Sequence, residues 1–179
     1  MRHLFLCLLA FSLFLLVGLH NSAYAQTTIG VVDVEKVLNE SDAAKELNKK
    51  RSEAREKFIT KLSKKESDLR EEGKALFAKR KDMSDEEFGK EQKAYEAKLL
   101  EMRKATQKQK RDFEEASNVA LDKLKDHLAN AVQKIAQEKG YGLVISNRDV
   151  ITGEKSLDIT GETIKAMNDQ KIKIPFKVK

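Results

Sequence analysis

A long, proline-free and highly charged stretch, residues 42–139, constrains this chain more than any other feature. It is rich in lysine, glutamate, alanine, leucine and glutamine, the composition of a long solvent-exposed helix. Its apolar residues are sparse, and many of them are seven positions apart. That spacing predicts the narrow contact stripe of a coiled-coil-like helix pair rather than the wide buried face of a globular helix.

One helix-start signal interrupts this stretch. Ser84 is followed three residues later by Glu87, which is the pattern of a capping box. The acidic residues at 85–87 also suit the positive end of a new helix. We therefore predict that one helix ends near Met83 and a second starts at Ser84. The two should run antiparallel as a hairpin whose tip contains Met83, Ser84 and Glu87.

The two predicted arms differ in apolar density along their length. The first arm has apolar residues seven or four apart: Leu47, Ala54, Phe58, Leu62, Leu69 and Leu76. The second has Phe88, Tyr95, Met102 and Phe113, then a denser run over 119–135. Residues 105–112 offer almost nothing to bury, and Gly73 and Gly89 each weaken a helix by about 1 kcal/mol relative to alanine. We expect a firmly packed root and an outer half that bends more readily.

The start of the chain predicts export. A basic Arg2 precedes an apolar run over residues 4–19, and Ala23-Tyr24-Ala25 matches a small-residue cleavage site. The rival interpretation is a retained membrane anchor, but the run is shorter than the roughly 20 residues that span a bilayer. We predict a cleaved signal peptide at 1–25 and a mature protein beginning at Gln26.

The composition of the mature chain argues against several functions. The only cysteine, Cys7, leaves with the signal peptide, and His127 is the only histidine that remains, so disulfides and a metal centre are not expected. No catalytic triad pattern or phosphate-binding glycine loop is present, so we predict no enzyme and no cofactor. The formal charge of +6 falls to +5 without Arg2. This basic excess favours acidic partners, and export argues against nucleic acid.

Short strands are predicted on both sides of the hairpin: 28–32, 143–146 and 150–152. A short helix at 33–39 and a final helix at 160–168, capped by Thr160, complete the body, with a loosely held tail after Asp169. Residues 26–41 and 140–179 thus form a β body around the hairpin at 42–139. So small a body would expose sheet edges, which favours an oligomer that shares or closes its sheets.

The residues predicted to make this oligomeric interface are the apolar strand residues Ile29, Val31, Leu143, Val144, Ile145, Val150 and Ile151. We expect Val144→Asp to break assembly, because the new charge would face the shared core or a neighbouring strand.

In its order of elements the sequence resembles the Skp/OmpH family of periplasmic chaperones. The resemblance lies in Ile29-Gly30-Val31-Val32-Asp33, in the long charged hairpin, in residues 136–145 and in 158–168. It implies a mainly helical homotrimer with tentacle-like hairpins projecting from a central β-barrel body. It also implies a periplasmic, ATP-independent holdase for unfolded outer-membrane proteins, with lipopolysaccharide as a further ligand. Anionic lipid is a further ligand that the basic excess favours. Residues 150–155 become polar earlier than the family pattern.

Long arms with scattered apolar residues among charges also fit a holdase on physical grounds. Such arms can make many weak contacts to an unfolded client without aggregating themselves. The candidate client contacts are Phe77, Phe88, Tyr95, Leu99 and Met102. The alternative hypothesis is a non-catalytic periplasmic scaffold or spacer that binds a folded envelope partner.

Overall fold

The structure is a computed structural model, and it describes residues 28–179. The predicted signal peptide and its cleavage site lie outside the described residues. The elements are β1 (Thr28–Val32), α1 (Val34–Glu40), α2 (Asp42–Ala78), α3 (Asp85–Lys139), β2 (Tyr141–Ser146) and α4 (Thr160–Asp169). Short 3-10 turns lie at Lys79–Asp82, Asn147–Asp149 and Lys155–Leu157.

The predicted hairpin is confirmed. We call α2, with 37 residues, the first arm and α3, with 55 residues, the second arm. At 1.5 Å per residue they are about 55 and about 80 Å long. Glu72 of the first arm pairs with Lys98 of the second, and Tyr95 lies over Gly73, so the arms run antiparallel. The first arm ends at Ala78, a few residues before the predicted end, because its last turn tightens into the 3-10 form.

The two strands flanking the hairpin pair in parallel. Gly30 lies opposite Val144, and Val31 lies opposite Ile145. Parallel strands need a long crossover, and here the whole hairpin supplies it. Within the described residues the sheet has only these two strands.

The third predicted strand, at 150–152, is wrong. The Ser146 hydroxyl accepts a hydrogen bond from the backbone N–H of Arg148 at 3.3 Å, and this contact starts a 3-10 turn directly after β2. Ile151 is fully exposed at 103% of its reference area. A later segment instead bonds to the edge of β1 that faces away from β2: the N–H of Ile159 donates to the Val31 carbonyl at 2.9 Å. Val150 and Ile151 are therefore not strand residues.

The core lies at the root of the arms, where α1, both arms and α4 meet. The buried apolar residues are Val32, Val37, Ala43, Ala44, Leu47, Ala120, Leu124, Leu128, Ala131, Ile135, Ile159, Met167 and Ile174. The predicted dense run on the second arm supplies much of this core. Within that run Val119 is half exposed, and its neighbour Ala120 is buried instead.

A polar contact joins the two halves of the body. The Thr160 hydroxyl accepts from the backbone N–H of Asp33 at 2.8 Å, so it does not cap its own helix as predicted. The carboxylate of Asp158 accepts from the Thr160 N–H, the first N–H of the helix, at 2.8 Å. Hydrogen bonds from the Thr160 hydroxyl and backbone lower the pKa of Asp158. This network fixes the start of α4 against the end of β1.

The prediction of a loosely held C-terminal tail is also wrong. Ile174 is buried, and the Phe176 ring meets the Phe113 ring edge-to-face with centroids 5.8 Å apart. The ammonium of Lys50 donates to the Ile174 carbonyl at 3.4 Å, and Lys179 pairs with Glu115 at 3.2 Å. The tail packs because its apolar side chains cover the root of the hairpin.

Candidate functional site

The tip of the hairpin is built from local interactions. The Ser84 hydroxyl accepts from the N–H of Glu87 at 3.3 Å, and the Glu87 carboxylate accepts from the N–H of Ser84 at 3.0 Å. The predicted capping box is therefore confirmed. Hydrogen bonds from the Ser84 side chain and backbone lower the pKa of Glu87. Arg80 pairs with Asp85 and lies 4.8 Å from the centroid of the Phe88 ring.

In the outer half, the two arms contact each other along a narrow line, which we call the seam and which includes Gly73 and Tyr95. Tyr95 covers Gly73 so closely that a Cβ atom at Gly73 would lie 2.6 Å from the tyrosine oxygen. The missing side chain of Gly73 thus leaves a notch in the first arm, into which the Tyr95 ring packs. Gly73 is therefore not the bending point that its helix propensity predicts. At Gly89 a Cβ atom would have no neighbour within 4 Å, so only Gly89 keeps the predicted role of a purely weakening residue.

Between the seam and the root lies a groove, which we call the arm groove. It has a volume of about 700 Å³. Apolar side chains from both arms and from the tail line it: Phe58, Ile59, Leu62, Phe113 and Val178. The second arm contributes Gln109 and Lys110 here, within the stretch predicted to bury almost nothing. Polar residues facing an apolar stripe leave the contact between the arms incomplete.

Exposed apolar side chains are scattered along the arms. Ile59, Phe77 and Leu100 keep 54%, 60% and 51% of their reference areas exposed. Of the five predicted client contacts, only Phe77 belongs to this exposed class. Phe88, Tyr95, Leu99 and Met102 are half-buried. Phe88 packs on Phe77 with ring centroids 5.8 Å apart.

Sequence reasoning missed Ile59 and Leu100 as surface residues. Each lies one or two residues from a residue on the contact stripe, and a strict seven-residue count passes over such neighbours. The signal that could have found them is position on the helix. Ile59 comes one residue after the stripe residue Phe58, so it points about 100° away from the stripe.

The two-stranded sheet presents a second apolar surface, which we call the outer sheet face. The cross-strand pairs Ile29–Leu143 and Val31–Ile145 share this face and lie outside the core cluster. Ile29 and Leu143 are 37% and 49% exposed. Val144 has the opposite orientation and packs against the core of its own chain. The predicted interface residues therefore divide: four share the outer sheet face, and Val144 does not.

The electrostatics of the arms are those of a solvated surface. Glu46 and Lys50, four residues apart, form an ion pair at 2.6 Å that lowers the pKa of Glu46. Such exposed pairs contribute little stability each. At the body, a hydrogen bond from Lys139 to Glu162 raises the pKa of Lys139. A similar bond from Arg148 to Glu35 raises the pKa of Arg148.

The described part of the chain, residues 28–179, contains no group of three or more metal-binding side chains. Over the same residues, no helix combines the length and apolar content that crossing a bilayer requires. The conspicuous features of this region are thus surfaces: the arm groove, the exposed arm residues and the outer sheet face.

Comparison with known proteins gives a consistent result. A family model described as outer membrane protein (OmpH-like) matches residues 28–167. A Skp-like protein of Pseudomonas aeruginosa is 30% identical over 151 residues, which cover 82% of this chain and 88% of that protein. A Caulobacter crescentus protein described as an OmpH-like outer membrane chaperone has a similar fold. It superposes with a TM-score of 0.81 at 16% identity, covering 85% of this chain and 90% of that one.

Proposed function

Since this chain belongs to the OmpH-like family of outer membrane proteins, we propose that it is a periplasmic, ATP-independent holdase chaperone. In this role it binds unfolded outer-membrane proteins and keeps them from aggregating on their way to the outer membrane. The descriptions of the family as an outer membrane protein, and of the structurally similar Caulobacter protein as an outer membrane chaperone, support a chaperone of the cell envelope. The predicted signal peptide supports export.

The observation that carries the proposal is the dispersal of apolar side chains on the arms. Ile59, Phe77 and Leu100 are exposed at separate places along the arms, among charged residues, and they do not form one large patch. A continuous patch would hold a client too firmly and would aggregate the chaperone. Many separate weak contacts hold an unfolded chain tightly in sum, while each contact releases quickly.

The basic excess of the chain adds an electrostatic contribution. A formal charge of +5 without Arg2 attracts acidic polypeptides, and salt weakens this attraction because most of the charges are exposed. The same surface would take anionic lipid or lipopolysaccharide as a second ligand. Nucleic acid is no part of the proposal.

We also propose that the working unit is a homotrimer joined through the outer sheet face. Within residues 28–179, no strand pairs with the edge of β2 that faces away from β1. The outer sheet face next to this edge is apolar. Joining sheets between subunits would cover both. Three hairpins would then project from a shared β body around a client cavity.

The interface can be tested by substitution on the two sides of β2. Leu143→Asp should break the oligomer with the fold of each subunit retained, because this side chain is half exposed. Val144→Asp, the substitution proposed from the sequence, is less informative. It should unfold the body, because Val144 packs against the core of its own chain. Leu100→Asp on the second arm is the control. An unchanged sedimentation coefficient for Leu143→Asp would count against this interface.

A scaffold that binds a folded envelope partner is the competing hypothesis. Native mass spectrometry of the mature protein with urea-unfolded porin and with folded porin separates the two. A holdase forms a complex with the unfolded porin only, and the masses report the number of subunits in the same experiment. A complex with the folded porin alone would favour the scaffold.

A further inference from the structure

The C-terminal tail shows what kind of segment the root of the hairpin accepts. From residue 171 onward lysine and apolar residues alternate: Lys171, Ile172, Lys173, Ile174, Pro175, Phe176, Lys177, Val178 and Lys179. The apolar members at 172, 174, 176 and 178 are all buried or half-buried, and the lysines are all exposed. This period of two is that of an extended segment with one apolar face.

The tail also runs along the arms in a defined direction. Its residue Ile174 lies at Lys50, and its residue Val178 lies beside Phe58 in the arm groove. Eight helical residues rise about 12 Å. Four extended residues span about 13 Å, so the two lengths agree. The tail therefore extends outward from the root and ends at the groove, with Val178 forming part of the groove wall.

The arm groove continues the apolar track outward past Val178. Phe58, Ile59, Leu62 and Phe113 line it, and its volume of about 700 Å³ falls in the range of about 300–1,000 Å³ found for ligand pockets. Its charged residues are mainly basic: Arg55, Lys57, Lys61 and Lys110 against the single Glu114. A segment in the groove would therefore meet apolar side chains on one face and positive charge along the margins.

We propose that the arm groove binds an extended client segment in which apolar residues alternate with acidic ones. The segment lies along the two arms as the tail does, and its place begins where Val178 ends. Its apolar residues enter the track of Phe58, Leu62 and Phe113, and its carboxylates face the lysines at the margin. This inference rests on the proposed holdase function and assigns one specific client subsite within a single hairpin.

Peptide binding tests the pattern directly. Three fluorescent peptides of equal length and equal apolar content are titrated with the full mature protein: one alternating valine and phenylalanine with glutamate, one alternating them with lysine, and one with the glutamates grouped at one end. The alternating acidic peptide should bind at least about tenfold more tightly than either of the others, because only it matches both the apolar track and the basic margin. Equal binding of the acidic alternating and grouped peptides would overturn the proposal.

Two matched variants locate the site. Ile59→Glu places a carboxylate in the groove at a position that is 54% exposed, and Val119→Glu places one on the second arm at a position that is 51% exposed and outside the groove lining. Ile59→Glu should weaken binding of the acidic alternating peptide by about tenfold or more, since it adds a like charge and removes an apolar contact. Val119→Glu should change the affinity by no more than about twofold. Equal losses would overturn the assignment, and circular dichroism verifies that both variants fold.

Suppression of porin aggregation by the same wild-type preparation separates this inference from the proposed function. If aggregation is suppressed but the acidic alternating peptide binds no better than the others, only the subsite is wrong. If wild-type protein does not suppress aggregation at all, the holdase function itself is wrong.

Discussion

The root of the hairpin and its outer half are both helical, but only the root is densely packed. At the root, Leu124, Ala131 and Met167 are almost completely buried, and α4 and the C-terminal tail cover the arms. Between residues 48 and 116, only Leu69 and Gly73 are buried. The arms are helical in both regions, so it is tertiary packing that distinguishes them. Helix formation alone does not make a rigid arm.

This difference fits the proposed function. A firm root holds the arms on the body, while the lightly packed outer half can adapt its spacing to clients of different size. Regions with few buried contacts open at low free-energy cost. Substitutions at the root, at the tip and along the seam therefore test the difference in packing between the root and the outer half.

The largest effect is expected at the root. Leu124→Ala should lower the free energy of unfolding by about 2–5 kcal/mol, because it leaves a cavity in a fully packed site. The matched change Leu100→Ala on the second arm should cost no more than about 0.5 kcal/mol, since that side chain is half exposed. Urea unfolding followed by circular dichroism measures both. Similar losses at the two sites would contradict the contrast.

The next largest effect is expected at the tip. Ser84→Ala removes the capping box and should destabilise the start of the second arm by about 1 kcal/mol. Because few buried contacts couple the outer half to the root, we expect faster amide hydrogen exchange around the tip and unchanged exchange around Leu124. Ser84→Asp, which can still cap, is the control. A uniform increase along both arms would show that the hairpin opens as one unit.

The two glycines of the outer half should respond with opposite signs. Gly89→Ala should stabilise the second arm by up to about 1 kcal/mol, because nothing crowds the new methyl group. Gly73→Ala should loosen the seam, because the methyl group would meet the Tyr95 ring. Thermal unfolding and hydrogen exchange of the pair decide this. If Gly73→Ala is as stabilising as Gly89→Ala, Tyr95 is not packed in the notch.

The smallest effect is the pH dependence of the body. The pKa of Asp158 is lowered in the folded protein by its hydrogen bonds with Thr160. Its contribution is therefore present above the unfolded pKa near 3.9 and is lost as the pH falls through the lower folded value. Asp158→Asn should reduce stability at neutral pH, and the difference from wild type should shrink in acid. A difference that is constant from pH 6 to pH 3 would contradict this role.

Local signals in the sequence predicted the arms well. The capping box at Ser84 and Glu87 and the start of the first arm at residue 42 depend on contacts within a few residues, so the sequence reveals them directly. The buried positions Leu47, Leu69 and Leu124 follow from helical periodicity in the same way. The order of the elements indicated the family resemblance, which the comparisons confirm.

The errors have both local and long-range causes. In place of the strand predicted at 150–152, the chain forms a turn that starts at Ser146. The N–H of Ile159 instead donates a hydrogen bond to the Val31 carbonyl of β1. The tail was predicted to be loose because it is basic, although its alternation of lysine and apolar residues was available in the sequence. Gly73 shows the same limit, since its partner Tyr95 lies on the other arm. No local pattern reveals such a partner.

The most direct test of the holdase function is light scattering after a urea-unfolded porin is diluted into buffer. With mature protein present at three chains per porin, the proposed trimer ratio, we predict that scattering stays near the level of buffer alone. We also predict that salt partly restores the scattering, because exposed charges contribute to capture. Scattering that rises as fast with the protein as without it would contradict the holdase function.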